Sequence, residues 1–282
     1  MTYLAKILLL LCFPVPVSAK SQPDTSFIFI QLSDPQFGMY PMQKDFHKER
    51  QNLTTAIQAI NAFKPDFVVI TGDFVNRGGD TKQIDAFRET MARLDPSIQL
   101  FLVSGNHDVG NKPTPMALKR YRKEFGNDYY SFKRHGQRFI VLNSSIIKSP
   151  SSAPEDAEAQ SVWLKCVLDS AMAEQSHPIV LQHHPWFVKN AREPNGYFNI
   201  PKKTRLESLR LLESHGVNYV FAGHLHANAV GSHRSLTMVT SGPVGTPLGT
   251  SPSGIRIVTI SPSTIKHKYY ALKKIPLSMR AD

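Results

Sequence analysis

The sequence predicts an α/β protein in which two β-sheets are covered by helices. Three observations carry that expectation. Short apolar runs, such as Phe27–Leu32, Phe67–Thr71 and Tyr219–Ala222, alternate with amphipathic stretches, as in buried mixed sheets packed between helices. Two strand-like runs meet at His135-Gly136, a hairpin signal, and the C-terminal part is mainly β, which argues for a second sheet packed on the first. Five apolar runs also stop abruptly at polar donors, and in such folds sites lie beyond the strand ends.

At 282 residues, with no Gly/Ser-rich or Pro-rich linker, the chain reads as one large domain preceded by a leader. Residues 1–19 have the form of a secretory signal: Lys6, an apolar run from Ile7 to Phe13, then Val17-Ser18-Ala19 as a cleavage site. The apolar run is shorter than the roughly 20 residues that span a bilayer, so no stable membrane insertion is expected. Cys12 follows leucines instead of the small residues that lipid-anchored leaders use. The expected mature domain is therefore 20–282, exported: periplasmic in a bacterium, secreted otherwise. It retains one cysteine, Cys166, so it forms no intramolecular disulfide. Trp163, Val167 and Ala171 flank that residue at helical spacing, which places the thiol in or near the core.

From Phe27 onward the elements follow in order. After the first strand, Lys44 to Phe63 carries Phe46, Leu53, Ile57 and Ile60 on one helical face and is closed by Pro65. The strand Phe67–Thr71, a helix over Gln83 to Leu94, the strand Leu100 to Ser104 and a helix over Met116 to Phe125, stopped by Gly126, come next. Tyr129 to Lys133 and Arg138 to Asn143 form the hairpin. A Ser/Pro-rich loop, Ser149 to Pro154, precedes a helix with the apolar stripe Trp163, Leu164, Val167, Leu168, Ala171 and Met172. A strand ends at Gln182. Thr204 and Glu207 have capping-box spacing and predict a helix start, with Leu206, Leu209 and Leu212 inside and Gly216 beyond the end. Strands are then expected at Tyr219–Ala222, Ala229–His233, Leu236–Thr240, Ile255–Ile260 and Ile265–Tyr270.

The strand ends deliver Asp34 and Gln36, then Asp73, Asn106-His107-Asp108, His183-His184 and His224-Leu225-His226. Oxygen and imidazole donors of this kind suit a hard or borderline divalent or trivalent cation. Taken singly, Asp73 and Asp108 serve equally well as turn or cap residues, His183 and His224 as core histidines, and Asn106 as a left-handed turn residue. As an ordered set they point to a metal site. Tyr197 and Phe198 fit core packing better than a cleft wall. His47, His135, His177, His215, His233 and His267 lie outside the set, and His184 reads as a neighbour of a ligand.

In order, Asp34-Pro35-Gln36, Gly72-Asp73 with Asn76, Gly105-Asn106-His107-Asp108, His183 and Gly223-His224-Leu225-His226 resemble the five motifs of the calcineurin-like metallophosphoesterase superfamily. QLSDPQFG at 31–38, SGNHDVGN at 104–111, DYYSF at 128–132, VLNS at 141–144 and GHLHAN at 223–228 are closer still to its small serine/threonine phosphatases. The resemblance implies a four-layer αββα sandwich and a centre of two metal ions drawn from Mn, Fe, Zn and Mg. One ion would take Asp34, Gln36, Asp73 and His226, the other Asp73, Asn106, His183 and His224, with Asp73 shared. His107 and Asp108 would be catalytic, His107 as proton donor to the leaving oxygen or as a hydrogen-bond donor to the phosphate, and Asn106, Arg77 and Asn76 would contact substrate. Gln36 stands where many members have histidine, and Asn76-Arg77-Gly78 departs from the Asp-Arg-Gly of the classical protein phosphatases. A solvated Arg77 is an equal alternative to a phosphate clamp.

The implied chemistry is attack on phosphorus by a hydroxide held between the cations, without a covalent intermediate. Expected substrates are small phosphomonoesters or phosphopeptides. A phosphodiesterase or nucleotide pyrophosphatase on the same site is the alternative enzyme, and an exported metal- or polyanion-binding protein the alternative of another class. The net charge of +11, or +10 without Lys6, is spread along the chain instead of forming the basic stripe that nucleic acid needs, so nucleic acid is not expected as a partner. Nothing in the residues indicates an oligomeric state.

Overall fold

The computed structural model describes residues 26–40 and 45–278. The leader and the expected helix start at Lys44 lie outside them. Elements run in the order β1 (Phe27–Leu32), α1 (His47–Phe63), β2 (Phe67–Thr71), α2 (Thr81–Met91), β3 (Gln99–Val103), α3 (Asn106–Val109), α4 (Pro115–Phe125), β4 (Tyr130–Arg134) and β5 (Gln137–Val141). They continue with α5 (Ser144–Lys148), α6 (Pro154–Ala173), β6 (Ile179–Leu181), α7 (Lys202–Ser214), β7 (Tyr219–Ala222), β8 (Ala229–His233), β9 (Leu236–Thr240), β10 (Gly254–Ile260) and β11 (Ile265–Ala271). One sheet has the order β11-β10-β1-β2-β3 and the other β4-β5-β6-β7-β9-β8.

Strand periodicity produces the layers. Successive side chains point to opposite faces, so Phe29, Phe67, Val69, Phe101, Phe139, Val141 and Phe221 meet between the sheets, while Ile30, Val68 and Ile70 face α1, α2 and α4. Ile140, Val180 and Val220 face α6 and α7 on the far side. Three cores separated by two sheets make the four-layer αββα sandwich. Phe29 stacks on Phe67 at 4.9 Å and meets Phe139 and Phe221 edge-on at 5.8 and 5.5 Å, which fixes the spacing of the sheets.

Strands β1, β2 and β3 are mutually parallel, as are β5, β6, β7 and β9. Both sheets therefore send the ends of their parallel strands to one edge of the sandwich. The hairpin forms at His135-Gly136, where both φ angles are positive, 45° and 76°.

Several local expectations are corrected. The C-terminal strands do not build the second sheet alone: β8 and β9 complete it, while β10 returns to pair with β1 and β11 pairs with β10 at the edge of the first sheet. α7 starts two residues before Thr204, behind Pro201 and without a side-chain cap. Asn195 Oδ1 accepts the Lys202 N–H at 2.7 Å instead. α2 begins earlier than Gln83, where Asp80 caps the Gln83 N–H at 3.2 Å. The buried line of α6 is Gln160, Leu164, Leu168 and Ala171, leaving Met172 exposed and Cys166 on the surface. None of the described helices is long and apolar enough to cross a membrane.

Candidate metal centre

Each donor comes from a loop that leaves the common edge. Asp34 and Gln36 follow β1, Asp73 follows β2, Asn106 opens α3 after β3, His183 follows β6, and His224 and His226 follow β7; all seven are buried. Five of them gather into two groups whose ligand atoms lie within 4.8 Å of one another: Asp73 with His183 and His224, and Asp34 with Asp73 and His226. Asp73 belongs to both. Asn106 Oδ1 stands 3.0 Å from His183 Nε2, which is itself 3.2 Å from Asp73 Oδ2 and 3.1 Å from His224 Nδ1. Across the centre, His226 Nε2 is 3.4 Å from Asp34 Oδ1.

Hydrogen bonds to backbone carbonyls orient the rings. His183 Nδ1 lies 2.8 Å from Thr71 O, His226 Nδ1 2.5 Å from Thr246 O and His224 Nε2 3.2 Å from Tyr197 O. A carbonyl only accepts, so each of these nitrogens carries the proton and turns the opposite nitrogen inward. Asp34 Oδ1 and Gln36 Oε1 are buried without a partner. The Gln36 amide owes its orientation to Asn76 Oδ1, which accepts from Gln36 Nε2 at 3.3 Å. Carboxylate and amide oxygens and imidazole nitrogens converging in this way are what a pair of cations satisfies. The residues present therefore fit two metal ions.

The electrostatics agree. Burial raises the Asp34 carboxyl, against the pull of His226 and His183. Burial also opposes ionisation of Asp73, yet His183, His107 and His224 hold it well below the usual carboxylate range. His183 is driven down by burial but carried up to about 9 by Asp73 and Asp34, so without an ion its Nε2 holds a proton toward Asp73, and a cation bound there would displace that proton. Burial, reinforced by His183, keeps His224 neutral. Two buried carboxylates thus call for positive charge at this point.

Close backbone approach lets the loops meet. A Cβ on Gly105 would collide with the Asp73 carboxylate, and one on Gly223 with Ser33 Oγ, which donates to Asp34 Oδ2. Five of the candidate ligands hold left-handed backbone: Asp34 (φ 49°), Gln36 (44°), Asp73 (54°), His224 (70°) and His226 (53°).

His107 and Asp108 divide the roles that the sequence assigns them jointly. The half-buried His107 ring donates Nδ1–H to the Asn76 carbonyl at 2.8 Å, which leaves Nε2 without a partner among the described residues, and its backbone N–H is 2.8 Å from Asp73 Oδ1. The Asn76 side chain thus serves Gln36, and its main chain serves the histidine. Asp108 points away from the centre. Its Oδ2 accepts from Asp73 N and Gly105 N at 2.9 and 2.8 Å, and its Oδ1 from Phe74 N and Val75 N at 2.9 and 3.3 Å. Burial and the Asp73 carboxylate push the Asp108 carboxyl up, to about 8, while donors aimed at both oxygens favour the carboxylate. Geometry makes Asp108 a clasp between the β2 and β3 loops.

Around the mouth stand residues with weaker or no sequence signals. Tyr197 is 54% exposed with its ring 5.0 Å from that of His224, and Phe198 lies 5.6 Å from the same ring, so these two line the site and are not core. Lys148 Nζ, which sequence reading missed, donates to the Tyr197 carbonyl, and burial lowers it to about 8. His184 packs 4.3 Å from the His224 ring, with Nδ1 3.0 Å from Ser144 Oγ. Arg77 is exposed on the β2 loop beside His107. The tautomer-fixing carbonyls of Thr71, Asn76, Tyr197 and Thr246 have no sequence signal, because any residue supplies a carbonyl.

The family model for calcineurin-like phosphoesterases matches residues 32–228. The chain is 37% identical over 265 residues to the serine/threonine-protein phosphatase CPPED1 of Danio rerio, covering 88% of this chain and 86% of that protein. The Homo sapiens protein of the same name is 35% identical over 277 residues, covering 92% of this chain and 88% of that one. In structure, a dimetal phosphatase from Danio rerio superposes with a TM-score of 0.62 at 18% identity, over 88% of this chain and all of the other, a likeness of fold. With its two donor sets sharing one aspartate and its motifs in order across the matched span, the chain belongs to the calcineurin-like phosphoesterase family.

Proposed function

We propose that the chain is an exported phosphomonoesterase acting on small organic phosphates or on phosphoserine and phosphothreonine in peptides. The family makes it a metal-dependent phosphatase; the monoester preference and export are our reading. The observation that carries the chemistry is the sharing of Asp73 between the two donor sets, with His107 Nε2 left free beside them. Export rests on Lys6, the apolar run and Val17-Ser18-Ala19, and predicts a mature chain beginning at Lys20 on N-terminal sequencing.

Asp34, Gln36, Asp73 and His226 would hold one cation and Asp73, Asn106, His183 and His224 the other. Bound there, the ions supply Lewis acidity that polarises phosphoryl oxygens and makes water a nucleophile near neutral pH. The chain's own residues do the rest. Asn106 Nδ2, buried without a partner, is available to a phosphoryl oxygen, and Arg77 offers a planar fork to a terminal phosphate with several free oxygens. In hydrolysis the water oxygen joins phosphorus, the bond to the leaving oxygen breaks, that oxygen takes a proton from Nε2 of the doubly protonated His107 ring, and the proton released by the water returns to the ring through solvent. The Asn76 carbonyl keeps the ring aimed throughout. The relatives named serine/threonine phosphatases support monoesters as substrates.

The test compares kcat/KM for an aryl monoester, the matching bis-aryl diester, a phosphoserine peptide and cyclic AMP, all with one metal. Monoesters are expected to lead. A diester or cyclic nucleotide cleaved about tenfold better than every monoester, a difference of about 1.4 kcal/mol in transition-state binding, would make the protein a phosphodiesterase.

A further inference from the structure

Beside the centre, on the His107 side, a cavity of about 350 Å³ opens between the β2 loop, α3 and the start of α4. His107, Asn106 and Asn76 form its inner wall, and Arg77, Lys112 and Arg120 supply three cations. Among the described residues, none of the three side chains has a carboxylate within ion-pair distance or a hydrogen-bond acceptor. The one carboxylate on the lining, Asp108, has both oxygens filled by backbone N–H groups. Neighbouring arginines behave differently: Arg122, also on α4, pairs with Asp128 and Asp156, and Arg88 of α2 pairs with Glu124.

Arg120 is held in place although it is unpaired. Its guanidinium lies against Gly79, whose missing side chain leaves the room it occupies, since a Cβ there would stand 2.9 Å from Cζ. Gly78 is equally bare, and a side chain on it would meet the backbone of α3. The Arg77-Gly78-Gly79 loop is thus pressed between the catalytic turn and the guanidinium of Arg120, a half-buried residue that has no acceptor among the described residues. A guanidinium kept partly out of water without a partner is unfavourable unless an anion completes it.

We infer that this cavity is a second anion subsite, in which Lys112 and Arg120, with Arg77 between them and the centre, bind a second phosphoryl group of a substrate whose first phosphate is hydrolysed. The inference rests on the phosphatase reading and narrows it to molecules that carry two phosphates. Because the subsite adjoins His107, the second phosphate lies on the leaving-group side and remains on the alcohol product.

The test is a pair of ratios. With one metal, kcat/KM is measured for a short alkanediol bisphosphate against the matching alkyl monophosphate, and for a peptide bearing two phosphoserines against one bearing a single phosphoserine. The parent protein should favour the doubly phosphorylated partner by about tenfold or more in at least one pair, as expected for a charge-assisted contact at a partly exposed site. The pair that shows the preference identifies the small-molecule or the peptide source. Lys112→Ala with Arg120→Ala should bring that ratio close to one, and Lys112→Glu alone should lower it further than Lys112→Ala alone. A parent ratio near one in both pairs, or a ratio that survives the double variant, overturns the subsite. If no ester is turned over at all, the phosphatase reading fails by itself. Calorimetric affinities of the same bisphosphate and monophosphate, in parent and double variant, then decide the subsite.

Discussion

Replacing Asp108 by asparagine separates a clasp from a catalytic group. The carboxylate accepts four backbone N–H bonds, two at each oxygen. An amide of the same shape keeps one oxygen, which will sit where Oδ2 accepts the two short bonds from Asp73 and Gly105. Its nitrogen then faces the N–H groups of Phe74 and Val75, so two buried donors lose their acceptor. At about 1–3 kcal/mol for each unsatisfied buried donor, the cost is about 2–6 kcal/mol, with about 4 as the working value. Against a net stability of about 5–15 kcal/mol for a domain, that is a large fraction. Urea denaturation followed by far-ultraviolet circular dichroism, with chelator present so that metal occupancy does not enter, measures it directly. Asp108→Ala, which strands all four donors, should be less stable still. If Asp108→Asn unfolds within about 1 kcal/mol of the parent in chelator yet loses turnover when metal-loaded, the clasp argument is wrong and the carboxylate acts on substrate.

Asp73→Ala should lose both metal ions, because each is left short of a ligand and the charge that separates them is gone; two equivalents found by metal analysis of the purified variant would show that Asp73 is not shared. Chelation should abolish turnover in the parent, and adding back a divalent cation should restore it. His107→Ala should keep both metals and lose about 10²–10⁴-fold in kcat, with the loss shrinking for esters of activated phenols, whose leaving oxygen needs no proton; an equal loss across leaving groups would assign the ring to phosphate binding. Lys148, lowered to about 8 by burial, is cationic below that pH and neutral above it, so kcat/KM for a dianionic ester should fall as pH rises through about 8. That limb should be absent in Lys148→Met, and its persistence there would assign it to another group.

The site was legible to the extent that chemistry is carried by side-chain identity. Apolar runs ending at Asp34, Asp73, Asn106, His183 and His224 announce strands that deliver donors to one edge. What selects one tautomer at His183, His224 and His226 is a carbonyl oxygen from a distant loop, and carbonyls leave no mark in a sequence. Asn76 shows the same limit: the sequence offers its side chain to substrate, whereas that side chain holds Gln36 and its main chain holds His107. Cys166 failed for a geometric reason. At about 100° per residue it lies about 200° around α6 from the buried Leu164, and its half-buried neighbours Trp163 and Val167 mark the edge of the stripe. The Thr204/Glu207 pattern falls inside a helix that Pro201 had already begun. The partition of the C-terminal strands depends on the pairing of β10 with β1 across nearly the whole chain, which local pattern does not encode.

The left-handed backbone at five candidate metal ligands has a consequence for durability. Such a conformation costs a non-glycine residue about 1 kcal/mol at the low end of the range, which aspartate and histidine favour. Five of them sum to about 5 kcal/mol, comparable with the whole net stability of a domain. Without its ions the protein carries that cost, along with the unpartnered oxygens of Asp34 and Gln36. The centre is therefore a place where robustness has been exchanged for activity, and the easiest route to a hardier chain is one that disables it. Gln36→Gly, which relieves both the backbone and the stranded oxygen, should outlast the parent in urea with chelator present while binding one of its metals more weakly.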